Sequence, residues 1–197
     1  MKTAPADSYA GFADLAKRQV RGTDYELIVN RRPASSVAII APHGGSIEPG
    51  TSRIARAIAG EEFNLYLFEG IKSSGNYAAL HLKSSRFDEP SCLQLIAHCS
   101  FVVAVHGCVG DDDKVLMGGL DGKLRDGLAK NLREAGVTAE TQGHRFPARH
   151  PSNICNCGLL RKGVQLELTS RLQRSSTTAA KVIDAVRTSL LGLAAPI

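Results

Sequence analysis

Apolar runs of strand length alternate along this chain with longer segments of helical period. Tyr25–Val29 reads as a strand, and Ser36–Ala41 as a second, more fully buried one. Thr51 or Ser52 can cap a helix in which Ile54, Ala57 and Ile58 follow 3.6-residue spacing and which stops at Gly60. Asn64–Phe68 is a further strand. A short helix from about Pro90 to His98 precedes FVVAV at Phe101–Val105, the most strand-like stretch in the sequence. Val115–Met117 can pair beside it, and Leu120–Glu134 reads as a helix ending at Gly136. Val164–Leu168 is a late strand, followed by a periodic helix over Thr177–Leu193. This alternation predicts an α/β layered fold around a largely parallel sheet. No Pro/Ser/Gly linker and no internal repeat divides the chain, so a single domain over residues 1–197 is expected.

The pattern also locates candidate chemistry. Three apolar strands end in residues able to bind a metal or move a proton: AIIAPH ends in His43, FVVAVH in His106, and GVQLEL carries Glu167 near its end. In a parallel sheet the carboxyl ends of the strands share one edge, where sites are built. Gly44 and Gly45 let the chain double back after His43, returning Glu48 toward the imidazole. Two imidazoles and a carboxylate form a His₂Glu set, which leaves one position on a zinc ion for water. An unligated carboxylate must then carry the proton, and Glu167 is the candidate. The competing reading is that each histidine is a hydrogen-bonded structural residue.

Composition narrows the classes. The 197 residues are 43% hydrophobic and 22% charged, ordinary values for a globular protein. No apolar run spans a bilayer, so no membrane partner is expected. Met1–Gln19 has no apolar signal core, which predicts a cytoplasmic protein, with release by cell lysis compatible with that. The net charge of +5 raises the alternative of a phage-type nucleic-acid-binding replication accessory protein. Scattered cations and only ten aromatic residues, none of them Trp, argue against it. The five cysteines include Cys92 and Cys99 in the expected helix and a C-x-C pair, Cys155 and Cys157, without zinc-ribbon spacing, so reduced thiols are expected.

The segments APHGGSIEPGTSRIARAIAG, Phe68-Glu69-Gly70, LHLKSSRFDEP, VHGC, Gly118-Gly119, NICN and GVQLEL occur in this order from about Pro42 to Glu167. The series resembles the phage and bacterial poly-γ-glutamate hydrolases, which are similar in fold to zinc carboxypeptidases. The resemblance implies a three-layer α/β/α sandwich with a mixed, largely parallel sheet. It implies a zinc-dependent hydrolase of γ-glutamyl amide bonds with one Zn²⁺. By motif, His43, Glu48 and His106 match the metal ligands, and Glu167 is similar in place to the general base. The spacing here is H-x₄-E, where metallocarboxypeptidases commonly have H-x₂-E. An anionic poly-γ-glutamate or a related peptide would be the substrate, and a monomer is expected. Arg86 is the first candidate for gripping a substrate carboxylate, with an ion pair to Asp88 or Glu89 as the alternative. Arg171, Arg174, Asn153 and Asn156 are further candidates, against solvated arginines and turn-stabilising asparagines. His81 reads as a structural histidine or a donor behind the ligands. A zinc amidase on another γ-glutamyl or cell-wall peptide remains the alternative on the same site.

Overall fold

The computed structural model describes residues 9–194. Its strands are β1 (Tyr25–Asn30), β2 (Val37–Gly45), β3 (Asn64–Gly70), β4 (Phe101–Cys108), β5 (Lys114–Gly118), β6 (Thr138–Glu140) and β7 (Val164–Thr169). The helices are α1 (Phe12–Leu15), α2 (Thr51–Ala59), α3 (Asn76–Leu80), α4 (Pro90–Ile96), α5 (Gly122–Glu134), α6 (Ser170–Arg174) and α7 (Ser176–Ala194), with a 3-10 turn at Ile154–Asn156. All seven strands join one sheet in the order β1-β3-β2-β4-β7-β5-β6. The central four, β3, β2, β4 and β7, are parallel. β1 runs antiparallel to β3, and β5, which pairs in parallel with β6, runs antiparallel to β7. The sheet is therefore mixed and largely parallel, as expected.

Alternation along each strand builds two cores, one on each face. On the first, Ile39, Ala41, Val103, Val105, Leu166 and Leu168 pack with Ile54 and Ile58 of α2, Leu128 and Leu132 of α5, and Val182 and Val186 of α7. On the second, Ala38, Ile40, Val102 and Ala104 pack with Leu15, Leu80, Cys92, Leu95 and Ile96, and with Ile154 and Cys155 of the 3-10 turn. This gives the three layers. Helix α5 starts at Gly122 rather than Leu120 because the Asp121 side chain accepts from the Leu124 N–H. Helix α4 stops at Ile96, so Cys99 lies beyond it, buried but outside any helix. The periodic pattern missed α1, α3, α6 and β6, each of five residues or fewer and too short to display a period.

One irregularity decides the geometry of the site. β2 pairs with β3 regularly through Ala41↔Leu67 and resumes at Gly44↔Glu69, so Pro42 and His43 together oppose Phe68. This is a β-bulge, and Pro42 has no N–H to lose from the ladder. Strict alternation would send His43 to the face of Ile39 and Ala41. The extra residue turns it instead to the opposite face, where its ring meets Phe87 and His106.

The turn after the bulge is tight. The Glu48 N–H donates to the His43 carbonyl at 3.0 Å, and Thr51 Oγ1 donates to the Glu48 carbonyl at 2.7 Å. Gly45 has φ +61°, and a Cβ there would lie 2.5 Å from the Gly70 oxygen. Gly45→Ala should lower stability by about 1–3 kcal/mol from backbone strain, before any adjustment for the contact. Urea unfolding checks this, and a midpoint equal to that of the parent would show that the turn is not constrained.

Candidate metal and catalytic site

The carboxyl ends of β2, β4 and β7, consecutive in the sheet, hold the residues the sequence singled out. His106 and Glu167 are directly paired across β4 and β7. Their side chains share a face because Val102, Ala104 and His106 alternate in step, as do Gln165 and Glu167. His43 joins that face through the bulge, and the glycine turn returns Glu48 beside it.

The donor atoms converge. His43 Nδ1 lies 3.1 Å from Glu48 Oε1 and 3.1 Å from His106 Nδ1. One ligand atom each from His43, Glu48 and His106 lie within 4.8 Å of one another. The Leu82 carbonyl, 2.8 Å from His43 Nε2, can only accept, so Nε2 carries a proton; Nδ1 faces Glu48 and His106, where it holds the second proton of a metal-free imidazolium or offers its lone pair to a metal. Two imidazole nitrogens on one tetrahedral zinc ion, at about 2.0–2.1 Å each, stand about 3.3 Å apart, close to the separation found here. Both histidines are 1% exposed, and among the described residues His106 Nε2 has no hydrogen-bond partner. Buried imidazoles aimed at each other through Nδ1 fit a shared cation better than they fit mutual hydrogen bonding. The donor set thus suits zinc.

The two carboxylates of the site differ sharply. Burial works to raise the Glu48 carboxyl, but the charge of His43 and hydrogen bonding to His106 and His43 outweigh it and hold Glu48 well below the usual range. Its Oε2 also accepts the Gly107 N–H at 2.8 Å. Glu167 is pushed the other way, first by burial and then by the negative charge of Glu48. The positive charges of His43 and Arg145 and a hydrogen bond from Gln165 oppose that rise without cancelling it. One carboxylate is thus held ionised and the other is prepared to hold a proton. The neighbouring Cys108 thiol is pushed up to about 12, mainly by burial and next by Glu167, which removes it as a nucleophile.

The remaining candidates fare differently. Asn153 and Asn156 are buried, and their side chains bond within the protein. Asn153 donates to Gln165 Oε1 at 3.0 Å and accepts from the Cys155 N–H at 3.1 Å. Asn156 donates to the Ala148 and His150 carbonyls and accepts from the Leu120 and Gly163 N–H groups. These bonds are of the turn-stabilising kind, and through them Asn156 joins the segments around Leu120, Ala148–His150 and Gly163. Arg171 reaches the Asp111 carbonyl at 3.2 Å and Asp113 at 3.5 Å, so it is engaged with the loop after β4. Arg86 is exposed and donates to the Tyr9 carbonyl at 3.5 Å. Its expected partners are occupied elsewhere, since Asp88 accepts from the Phe12 N–H and Glu89 caps α4. Arg174 is exposed on α6. His81 stacks on His43 with ring centroids 4.1 Å apart, and its Nε2 lies 3.7 Å from Glu48 Oε1. Sequence reasoning missed Arg145, an exposed residue over the Phe146 ring at 4.8 Å, whose charge reaches both Glu167 and Cys108. It sits in the irregular stretch GHRFPARH, where no spacing distinguishes one cation from another.

Comparison with known proteins agrees with this geometry. The family model described as poly-gamma-glutamate hydrolase matches residues 9–188. The UPF0714 protein YndL of Bacillus subtilis (strain 168) is 34% identical over 171 residues, covering 86% of this chain. The chain spans 66% of the length of that relative. The structure of a bacteriophage poly-gamma-glutamate hydrolase superposes with a TM-score of 0.89 at 29% identity, over 95% of this chain and 98% of that one. A structure described as YNDL-apo (Zinc-free) superposes with a TM-score of 0.87 at 28% identity, again over 95% and 98%.

Burial and the negative charge of Glu48 raise the Glu167 pKa in the fold, so that carboxyl contributes its full stabilisation below the ordinary glutamate pKa of the unfolded chain. The contribution is lost as pH rises through the raised folded value. Metal-free Glu167→Gln should therefore melt above the metal-free parent at pH 8 and together with it near pH 3. Thermal unfolding across that range checks the sign, and a Glu167→Gln protein less stable at pH 8 would contradict the assigned burial cost.

Proposed function

The chain belongs to the poly-gamma-glutamate hydrolase family, and on that premise we propose that it hydrolyses γ-glutamyl amide bonds of poly-γ-glutamate with one zinc ion held by His43, Glu48 and His106. The observation that carries this reading is the convergence of those three donors beside a protonatable, unligated Glu167. A zinc ion bound there would polarise the scissile carbonyl and lower the pKa of the attacking water toward neutrality.

The side chains supply the rest. Glu48, kept ionised, adds negative charge to the ligand set, and the Gly107 N–H fixes its second oxygen. The Leu82 carbonyl holds His43 in the tautomer that presents Nδ1. Glu167 accepts a proton from water as the amide carbon is attacked and passes it to the departing nitrogen. Its raised affinity for protons suits a group that must take up a proton and release it within one cycle. A γ-linked glutamate leaves one free carboxylate on every residue, so the substrate is a regular polyanion. The net charge of +5 favours its approach. Arg145, whose charge reaches Glu167, is better suited to receive a substrate carboxylate than Arg171, which is engaged with Asp111 and Asp113.

Glu167→Gln should retain one zinc per chain and lose about 10²–10⁴-fold in turnover, the usual contribution of general acid–base catalysis. His43→Ala and His106→Ala should lose both metal and activity. Elemental analysis with a chelator-reversible viscosity assay on poly-γ-glutamate reads both quantities. Undiminished hydrolysis by Glu167→Gln, or stoichiometric zinc in either histidine variant, would overturn the reading.

A further inference from the structure

Behind Glu167 lies a line of buried amides that the proposed chemistry does not use. Gln165 and Glu167 are two residues apart on β7 and point to the same face. Gln165 Nε2 donates to Glu167 Oε1 at 2.8 Å, and Asn153 Nδ2 donates to Gln165 Oε1 at 3.0 Å. Asn153 Oδ1 in turn accepts the Cys155 N–H at 3.1 Å, at the start of the 3-10 turn. Asn153, Gln165 and Glu167 are 6%, 4% and 6% exposed. The flanking strands present Ala104 and Gly118 opposite Gln165, with no long side chain to compete for its amide.

The direction of this line is determined. A backbone N–H can only donate, so the Asn153 atom facing Cys155 must be oxygen. Its amino group then faces Gln165, whose oxygen must turn toward Asn153, and the Gln165 amino group is left facing Glu167. Reversing either amide would set oxygen against oxygen or leave a buried donor unpaired, which costs more than the bond itself contributes.

We propose that Asn153 and Gln165 form a directional amide relay that orients the Glu167 carboxyl, occupying its Oε1 from behind so that Oε2 is the oxygen that exchanges the proton. Both are positioning residues, acting through Glu167 and touching no substrate. The relay runs from a backbone N–H to the catalytic carboxyl through neutral groups only, so it sets orientation without adding a charge to the site. The inference rests on the reading of Glu167 as the proton carrier.

Asn153→Asp tests it with the least disturbance. Asp serves equally well at the start of the 3-10 turn and has nearly the same volume, but it cannot donate to Gln165 Oε1. The introduced carboxylate instead accepts from the Gln165 amide, which turns over and presents its oxygen to Glu167. We expect kcat on poly-γ-glutamate to fall about ten- to a hundredfold with KM and zinc content unchanged, the range seen when partners behind a metal site are removed. Gln165→Met should give a similar loss, and the double variant should be no slower than Gln165→Met alone, because both act through one contact. The Gln165 side-chain amide resonances of the metal-free protein should also move in Asn153→Asp, independently of turnover. Wild-type kcat in either single variant, or losses that multiply in the double variant, would overturn the relay. So would loss of fold or of zinc in both, which would assign the pair to the scaffold. If Glu167→Gln is itself active, the reading of Glu167 has failed. If Glu167→Gln is inactive while both relay variants keep wild-type kcat, only the relay has failed.

Discussion

The site depends on one extra residue in β2. A strand presents alternate side chains to opposite faces, and His106 and Glu167 occupy the face on which Ala104 and Gln165 also lie. By the same alternation His43 would face α2 and α7, with the sheet between it and its partners. The bulge at Pro42 and His43 shifts the parity by one, and His43 crosses to the side of His106. Everything downstream follows that shift. The glycine turn begins on the correct face, Glu48 returns within 3.1 Å of the imidazole, and Leu82 can fix its tautomer. Without the bulge the three donors could not meet, however well the rest of the sheet were formed.

The polar content of this edge is organised around unequal carboxylates. Glu167 is buried and Glu48 largely so, and both are in the reach of His43, yet they are driven in opposite directions. The difference lies in their polar and charged neighbours. Glu48 has two imidazoles and a backbone N–H, whereas Glu167 has one neutral amide and the repulsion of Glu48. A buried carboxyl with one neutral donor keeps most of its desolvation penalty, and that penalty is what prepares it to hold a proton. Each side-chain nitrogen and oxygen of Asn153 and Gln165 has a hydrogen-bond partner, so orienting Glu167 leaves none of these atoms unpaired in the apolar core.

The α/β class, the central strands and the long helices were legible because they carry a period: Phe101–Val105 alternates into two cores, and α7 repeats an apolar stripe. His43, His106 and Glu167 were legible because strand ends are marked by the end of an apolar run. Other residues were not. Asn153 and Asn156 lie in a loop whose contacts come from residues distant in the chain, so their bonds to Gln165, Ala148 and Leu120 leave no local trace. The same applies to Arg145, distinguished from twenty-three other cations only by standing near Glu167. Helices α1, α3 and α6 are shorter than the window in which a helical period can be counted.

The sequence by itself determined which elements form, which residue types stand at the strand ends, and that glycines allow the chain to turn after His43. Those are properties of local pattern and backbone sterics. Only the tertiary structure decided that β2, β4 and β7 are neighbours, that a bulge brings His43 to the face of His106, and that the Asn153 side chain bonds to Gln165. Strand order, parity and buried hydrogen bonding are settled by packing between segments far apart in the chain. A reading that moves along the chain can locate the groups but not the side from which they meet.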